Sequence, residues 1–239
     1  MLLENKTALI TGSATGIGEG VAHLFAAEGA KLILIDRDEA GNNAVAAATG
    51  GQAFTCDVRD RTRLRDICSA VGAVDILINN AGIYPRRPFL EMAEQEWDEM
   101  QDTNLKSIFH LTQAVLPGMI QRQAGKIVNI SSVTFHLGTA NLTHYVASKG
   151  GIIGLTRSLA REIGDFNVHV NCVTPGAVLV EAEKLVQTEE ALRVFVSQQC
   201  LKRRLVPLDI ARVCLFLSSE LSDGLTGQTI NVDAGRAMY

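Results

Sequence analysis

The stretch Thr11-Gly12-Ser13-Ala14-Thr15-Gly16-Ile17-Gly18 constrains this chain more than any other. The mainly apolar run Lys6 to Ile10 before it reads as a buried strand. After it, Ile17, Val21, Leu24 and Phe25 recur at helical spacing up to a stop at Gly29. Strand, glycine loop and helix in that order make a phosphate cradle. Gly12 permits the tight turn, Gly16 lets backbone N–H groups approach a pyrophosphate, and Gly18 lets the helix lie close to the sheet. A plain Gly-rich turn would not need the flanking strand and helix.

A second strand over Lys31 to Ile35 ends in Asp36, eighteen residues past Gly18. An acid there accepts hydrogen bonds from an adenosine ribose and repels a 2′-phosphate, which favours NAD over NADP. Arg37 beside it is the opposing feature, because a guanidinium tolerates a phosphate. Ala53 to Val58 reads as a third strand, with Asp57 placed to meet an adenine edge. A helix over 60–71, a fourth strand over Asp75 to Ile78 and the run Asn79-Asn80-Ala81-Gly82 follow. The side-chain amides of that run can hold both the backbone and a cofactor. The reading then gives a long helix over 95–121 containing Asn104, a strand over 126–130, a helix over 144–163 and a strand over 168–173. Pro175-Gly176 breaks the pattern, and a helix over 207–218 and a strand over 228–232 close it. Residues 177–205 are irregular and charged and read as a lid over a neighbouring site. No repeat, linker or low-complexity tract divides the chain, so residues 1–239 are expected to form one domain.

Composition agrees with buried parallel strands: 47% of residues are hydrophobic but 5% aromatic, so the core is built from Ala, Val, Ile and Leu. A net charge of −4 argues against nucleic acid. The absence of a long apolar segment argues against a membrane, and a cytoplasmic protein is expected. The five cysteines are odd in number and widely spaced, which suits reduced, mostly buried thiols. The five histidines show no metal-ligand spacing. No Gly-x-Ser-x-Gly elbow occurs, which sets a serine hydrolase aside.

The chemistry gathers at Ser132, Tyr145 and Lys149. Ser132 follows the strand over 126–130 and so lies where open α/β sheets place ligands. Tyr145 and Lys149 are spaced i and i+4 on one helix face. Charges about 4 Å apart at an effective dielectric of about 20 interact by roughly 4 kcal/mol. A fixed ammonium could thus bring a phenol from about 10 down to about 7, the range of a general base.

Together, Thr11-Gly12-x-x-x-Gly16-Ile17-Gly18, Asn79-Asn80-Ala81-Gly82, Asn104, Ser132, Tyr145-x-x-x-Lys149 and Pro175-Gly176 resemble the short-chain dehydrogenase/reductase family in order and spacing over essentially the whole chain. The resemblance implies an α/β fold, a single doubly wound Rossmann-type domain with a seven-stranded, mostly parallel sheet and helices on both faces. It also implies a nicotinamide dinucleotide and a homotetramer built on two long helices. It makes Tyr145 the acid/base, Lys149 the group that lowers its pKa and holds the nicotinamide ribose, Ser132 the hydrogen bond to the substrate oxygen, and Asn104 the support of a water relay to Lys149. Gly12, Ser13, Thr15, Gly16, Ile17, Gly18, Asp36, Arg37, Asp57, Val58, Asn80, Ala81, Gly82, Tyr145, Lys149, Pro175, Gly176 and Val178 are the implied cofactor contacts. One departure stands out: four residues past Gly176 the family usually has a threonine, and this chain has Val180.

Phe135-His136-Leu137-Gly138 and the run Gln199 to Pro207 are similar to the members that oxidise aldoses at the anomeric carbon. The Thr134-Phe135 and Lys149-Gly150-Gly151 region is similar to pyridoxal-oxidising members. An aldose or acidic-sugar 1-dehydrogenase is expected first, then a pyridoxal-type or other small-alcohol dehydrogenase or ketoreductase. A non-catalytic NAD-binding sensor is the alternative of another class, and it would ordinarily lack the tyrosine or the lysine. Arg86, His136, Asn141, Arg203 and Arg204 are the candidate substrate contacts. Arg86, Arg87, Lys202, Arg203 and Arg204 form a cluster of cations that would steer an anionic substrate.

Overall fold

The computed structural model describes residues 1–180 and 189–238. Seven strands run β1 Thr7–Thr11, β2 Lys31–Asp36, β3 Gln52–Thr55, β4 Ile76–Asn79, β5 Gly125–Ile130, β6 Val168–Pro175 and β7 Thr229–Val232. They form one sheet in the order β3-β2-β1-β4-β5-β6-β7, and every pairing is parallel rather than mostly so. The helices are α1 Gly16–Ala27, α2 Glu39–Thr49, α3 Arg61–Val71, α4 Glu94–Gln101, α5 Ser107–Arg122, α6 Thr134–Leu137, α7 Thr143–Ile163, α8 Glu189–Ser197 and α9 Pro207–Ser218.

Side-chain alternation along each strand feeds two cores. Ala8, Ile10, Leu32, Leu34, Ile76, Ile78, Val128 and Ile130 pack with Val21 and Phe25 of α1 and Ile210 and Cys214 of α9. Leu9, Ile33, Ile35, Leu77 and Ile127 pack on the opposite face with Leu64 and Ile67 of α3, Leu111 and Val115 of α5, and Ile163 of α7. Both faces are covered, so the strands read as continuous apolar runs rather than alternating ones. The strand order reverses between β1 and β4, and the crevice outside their carboxyl ends is where such a sheet takes a ligand.

Several elements differ from the sequence reading, the short helix α6 at Thr134–Leu137 among them. The third strand stops at Thr55, which leaves Asp57 and Val58 in the turn beyond it. A helix not expected from the sequence, α2, follows β2; its N-cap is Asp38, whose side chain accepts the Gly41 N–H, and Gly50 ends it at φ 69°. The single helix expected over 95–121 is α4 and α5 joined by a π turn, Asp102–Lys106, with Asn104 buried inside it. In the segment expected to be an irregular lid, Glu189–Ser197 is helical; Glu181, Glu183 and Lys184 lie outside the described residues. No described helix is long and apolar enough to cross a membrane.

Candidate active site

The glycine loop joins β1 to α1 under tight constraint. Gly12 and Gly16 have φ of 65° and 64°, in the left-handed region. A Cβ on Gly18 would stand 2.0 Å from the Gly12 carbonyl oxygen, so a side chain there would drive the helix off the strand end. Thr15, the extended N-cap of α1, makes no side-chain cap, leaving the first N–H groups of the helix for another acceptor. Ile17 is partly buried against the core. Ser13 is turned inward: its hydroxyl donates to Asn42 Oδ1 at 2.7 Å, and Asn42 Nδ2 donates to the Leu34 and Phe54 carbonyls at 3.1 and 3.2 Å. With its hydroxyl engaged in this way, Ser13 offers its backbone to the crevice.

Thr11, not singled out for a role from the sequence, holds the next part of the crevice. Its hydroxyl oxygen accepts the Asn80 and Ala81 N–H groups at 3.0 and 3.1 Å, and Asn80 Nδ2 donates to the Thr11 and Gly12 carbonyls, each at 3.0 Å. The side chain of Asn80 therefore braces the loop, while Ala81 and Gly82 supply backbone. Asp36 accepts the Ala14 N–H at 3.0 Å and the Asp38 N–H at 2.9 Å. An ionised carboxylate has further lone pairs, so it retains capacity for ribose hydroxyls. Arg37 is exposed and its charge is felt by Asp57. Asp57 is held by Arg59, which donates to both carboxylate oxygens and approaches to 2.6 Å. That bond holds the Asp57 carboxyl below its usual range. The carboxylate is thus oriented by Arg59 while its side chain stays 36% exposed. Val58, next to it in the turn beyond β3, is buried. The glycines, the uncapped α1 terminus and Asp36 together fit a dinucleotide.

At the carboxyl end of β5, Ser132 Oγ accepts the Thr134 N–H and hydroxyl at 3.2 and 2.9 Å. Ser131 Oγ donates to the Lys149 carbonyl at 2.7 Å, and Lys149 Nζ donates to the Ile130 carbonyl at 2.8 Å. Beneath them, Asn79 Nδ2 donates to Asn129 Oδ1 at 2.8 Å and Asn129 Nδ2 to Thr156 Oγ1 at 3.0 Å, a buried chain that fastens α7 to β4 and β5. Tyr145 and Lys149 come together as their spacing requires, with Nζ 5.6 Å from the ring centroid. Burial pushes the Tyr145 phenol up to about 12, opposed by a hydrogen bond with Ser132 and assisted by Tyr84. Tyr145 as a whole residue stays partly exposed. Burial also lowers Lys149 to about 8. Where the sequence leads one to expect Lys149 to lower the Tyr145 phenol, the ammonium is directed at the Ile130 carbonyl and burial is the largest influence on the phenol.

Asn104 uses its side chain on Ile83, accepting the N–H at 2.8 Å and donating to the carbonyl at 2.9 Å, and also donates to Ser148 Oγ at 3.2 Å. That side chain is a clamp on the loop after β4. A Cβ on Gly82 would stand 3.2 Å from Asn104 Oδ1 and 3.6 Å from Lys149 Nζ, so the three lie together. Pro175 accepts the Val133 N–H at 3.0 Å, which brings the ends of β5 and β6 together, and Gly176 packs against Asp233. Val178 is buried in the core and bridges Leu205. Val180 Cγ1 would lie 3.1 Å from a Cβ on Gly16, so the residue in place of the usual threonine covers the glycine loop with a methyl group.

The expected cluster of cations dissolves into local pairs. Arg203 is matched by Asp209 through bonds of 2.7 and 2.8 Å, and Arg87 by Glu96 at 2.6 Å. Lys202 donates to the Ser197 and Gln199 carbonyls and so caps α8. Arg86 reaches the Ala140 carbonyl at 3.4 Å. Asn141, at φ 63°, accepts the Arg87 N–H at 2.8 Å. His136 faces Arg157 and Asp233, and burial lowers its pKa. Arg204 is partly buried. Two surface cavities of about 550 and 510 Å³ lie beside β7 and between α1 and the start of α9. Neither contains Tyr145, so the site is located by strand ends and side-chain chemistry rather than by the size of a hollow.

A family model described as "Enoyl-(Acyl carrier protein) reductase" matches residues 12–237. A solved structure titled "short chain dehydrogenase/reductase family protein" superimposes with a TM-score of 0.92 at 35% identity, covering 98% of both chains. The chain belongs to the short-chain dehydrogenase/reductase family. Among its relatives, D-xylose 1-dehydrogenase of Caulobacter vibrioides is 37% identical over 238 residues, 98% of this chain and 96% of that one. The 3-oxoacyl-(acyl-carrier-protein) reductase FabG of Thermotoga maritima is 38% identical over 245 residues, 98% of this chain and 99% of that one. The protein is an oxidoreductase of this family, acting on CH–OH groups with a nicotinamide cofactor.

Proposed function

We propose that the protein oxidises an aldose at its anomeric carbon with NAD, using Tyr145 as acid/base. The observation that carries the reaction is the meeting of Ser132, Tyr145 and Lys149 at the carboxyl end of β5, with Lys149 Nζ 5.6 Å from the Tyr145 ring centroid and Ser132 close enough to the phenol to influence its ionisation. When bound, the nicotinamide supplies the hydride acceptor. Ser132 and Tyr145 hold the substrate hydroxyl, and the ionised Tyr145 oxygen takes its proton as the carbonyl forms, so oxidation is favoured as rising pH ionises the phenol. Lys149 is held by the Ile130 carbonyl beside the ring, and its remaining ammonium protons are assigned to the nicotinamide ribose as the family resemblance implies. Asp36 supports NAD over NADP, because a 2′-phosphate would add negative charge beside its carboxylate.

A neutral sugar is favoured over an acidic one, since Arg87 and Arg203 already have carboxylate partners. The xylose dehydrogenase supports the sugar reading, and the FabG relative supports a second one, reduction of a 3-oxoacyl thioester. The implied homotetramer remains part of the proposal and is checked by light scattering. A panel of aldoses, simple alcohols and an acetoacetyl thioester, each with NAD and NADP, tests the assignment. The expected result is aldose oxidation with NAD; NADPH-dependent thioester reduction without sugar turnover would replace it with the second reading.

A further inference from the structure

The loop after β4 is fixed at two points, and Tyr84 lies between them. Asn104, buried in the π turn, grips both the N–H and the carbonyl of Ile83. Beyond Tyr84, the Arg87 N–H donates to the Asn141 carbonyl at 2.8 Å, which stitches this loop to the turn that leads into α7. Between the two points, the Tyr84 ring meets the Tyr145 ring edge-on, with centroids 6.3 Å apart and planes at 64°. It remains 38% exposed. Tyr145 thus has Ser132 as one neighbour and the ring of the partly exposed Tyr84 as another. A tyrosine combines an apolar face with a polar tip. A cyclic polyol presents the complement, an apolar C–H face rimmed by hydroxyls, whereas the alkyl part of an acyl chain has nothing for the tip.

We infer that Tyr84 is a substrate-contacting residue that sets specificity: its ring receives the C–H face of the sugar and its phenol hydrogen-bonds a hydroxyl next to the reacting carbon. The inference rests on the aldose reading above. Tyr84→Ala and Tyr84→Phe test it by steady-state kinetics on the substrate that the wild type handles best, with dinucleotide Kd titrated in parallel. Tyr84→Ala is expected to raise KM about tenfold or more with kcat within about threefold, the signature of lost binding shared by ground and transition states. Tyr84→Phe is expected to raise KM a few-fold for the sugar, about the worth of one hydrogen bond, and to leave a deoxy analogue unaffected. Dinucleotide Kd is expected to be unchanged in both.

A fall in kcat at constant KM would show that Tyr84 acts on Tyr145 alone, and no change in either constant would remove it from the site. Both results overturn the inference. A panel in which no sugar is turned over would remove the aldose reading and the phenol's role with it. The KM of Tyr84→Ala on whatever substrate remains would then still decide the ring contact.

Discussion

Lys149 is the residue at which charge and burial conflict most. Its ammonium is 4% exposed, and loss of solvation lowers its pKa from 10.5 to about 8. Between those values the unfolded chain holds a proton that the folded chain does not, so stability rises with pH across the window. Below about 8 the full penalty applies, on the order of 3 kcal/mol. Lys149→Met removes it, while the upward shift of Tyr145 is shared by both proteins to first order. Urea unfolding of wild type and variant, without dinucleotide, should show their stability difference moving in favour of wild type from about pH 8 toward 10.5. A flat difference would mean that the ammonium keeps its solvation. Asp36→Ala tests a second residue: NADP efficiency should rise relative to NAD, and an unchanged ratio would dismiss charge exclusion by this carboxylate. The i, i+4 spacing made the Tyr145–Lys149 meeting legible in the sequence. It could not reveal that Nζ would turn to the Ile130 carbonyl, since that depends on where β5 lies. The same limit applies to Arg203, whose partner Asp209 belongs to the first turn of α9.

At the scale of elements, the buried hydrogen bonds of Asn42 tie three pieces of chain to the glycine loop. Asn42→Ala would orphan the Ser13 hydroxyl and remove donors from two carbonyls, at a cost of about 1–3 kcal/mol for each group left unsatisfied. A lower denaturation midpoint, together with weaker dinucleotide affinity by titration, is expected; an unchanged midpoint would show that water replaces the amide. Gly18→Ala should act more directly, because its Cβ would meet the Gly12 carbonyl at 2.0 Å. A calorimetric loss of dinucleotide affinity is the expected outcome. The helix carrying Asn42 did leave signals in the sequence, Asp38 as an N-cap and Gly50 as a stop, but its run of alanines and asparagines gives no strong apolar stripe. The π turn at Asp102–Lys106 left none, since one extra residue per turn scarcely alters a helical pattern.

The whole molecule was the most legible level, for a physical reason. A parallel sheet buried on both faces imposes continuous apolar strands, and each such run is bounded by glycine, asparagine or a helical period. The seven strands could thus be located from their apolar runs, while their order is fixed only by the pairing seen in the sheet. The same sheet brings Ser132 at the end of β5, Tyr145 on α7 and the glycine loop after β1 to one edge, which is why residues far apart in the chain share a reaction. The most direct test of that account is one comparison of wild type with Tyr145→Phe, reading initial-rate NAD reduction with an aldose and NAD affinity by isothermal titration. The account expects a rate lower by about 10²-fold or more, the range assigned to a positioned acid/base, with NAD affinity retained. A variant that keeps most of its turnover while binding NAD normally would contradict it.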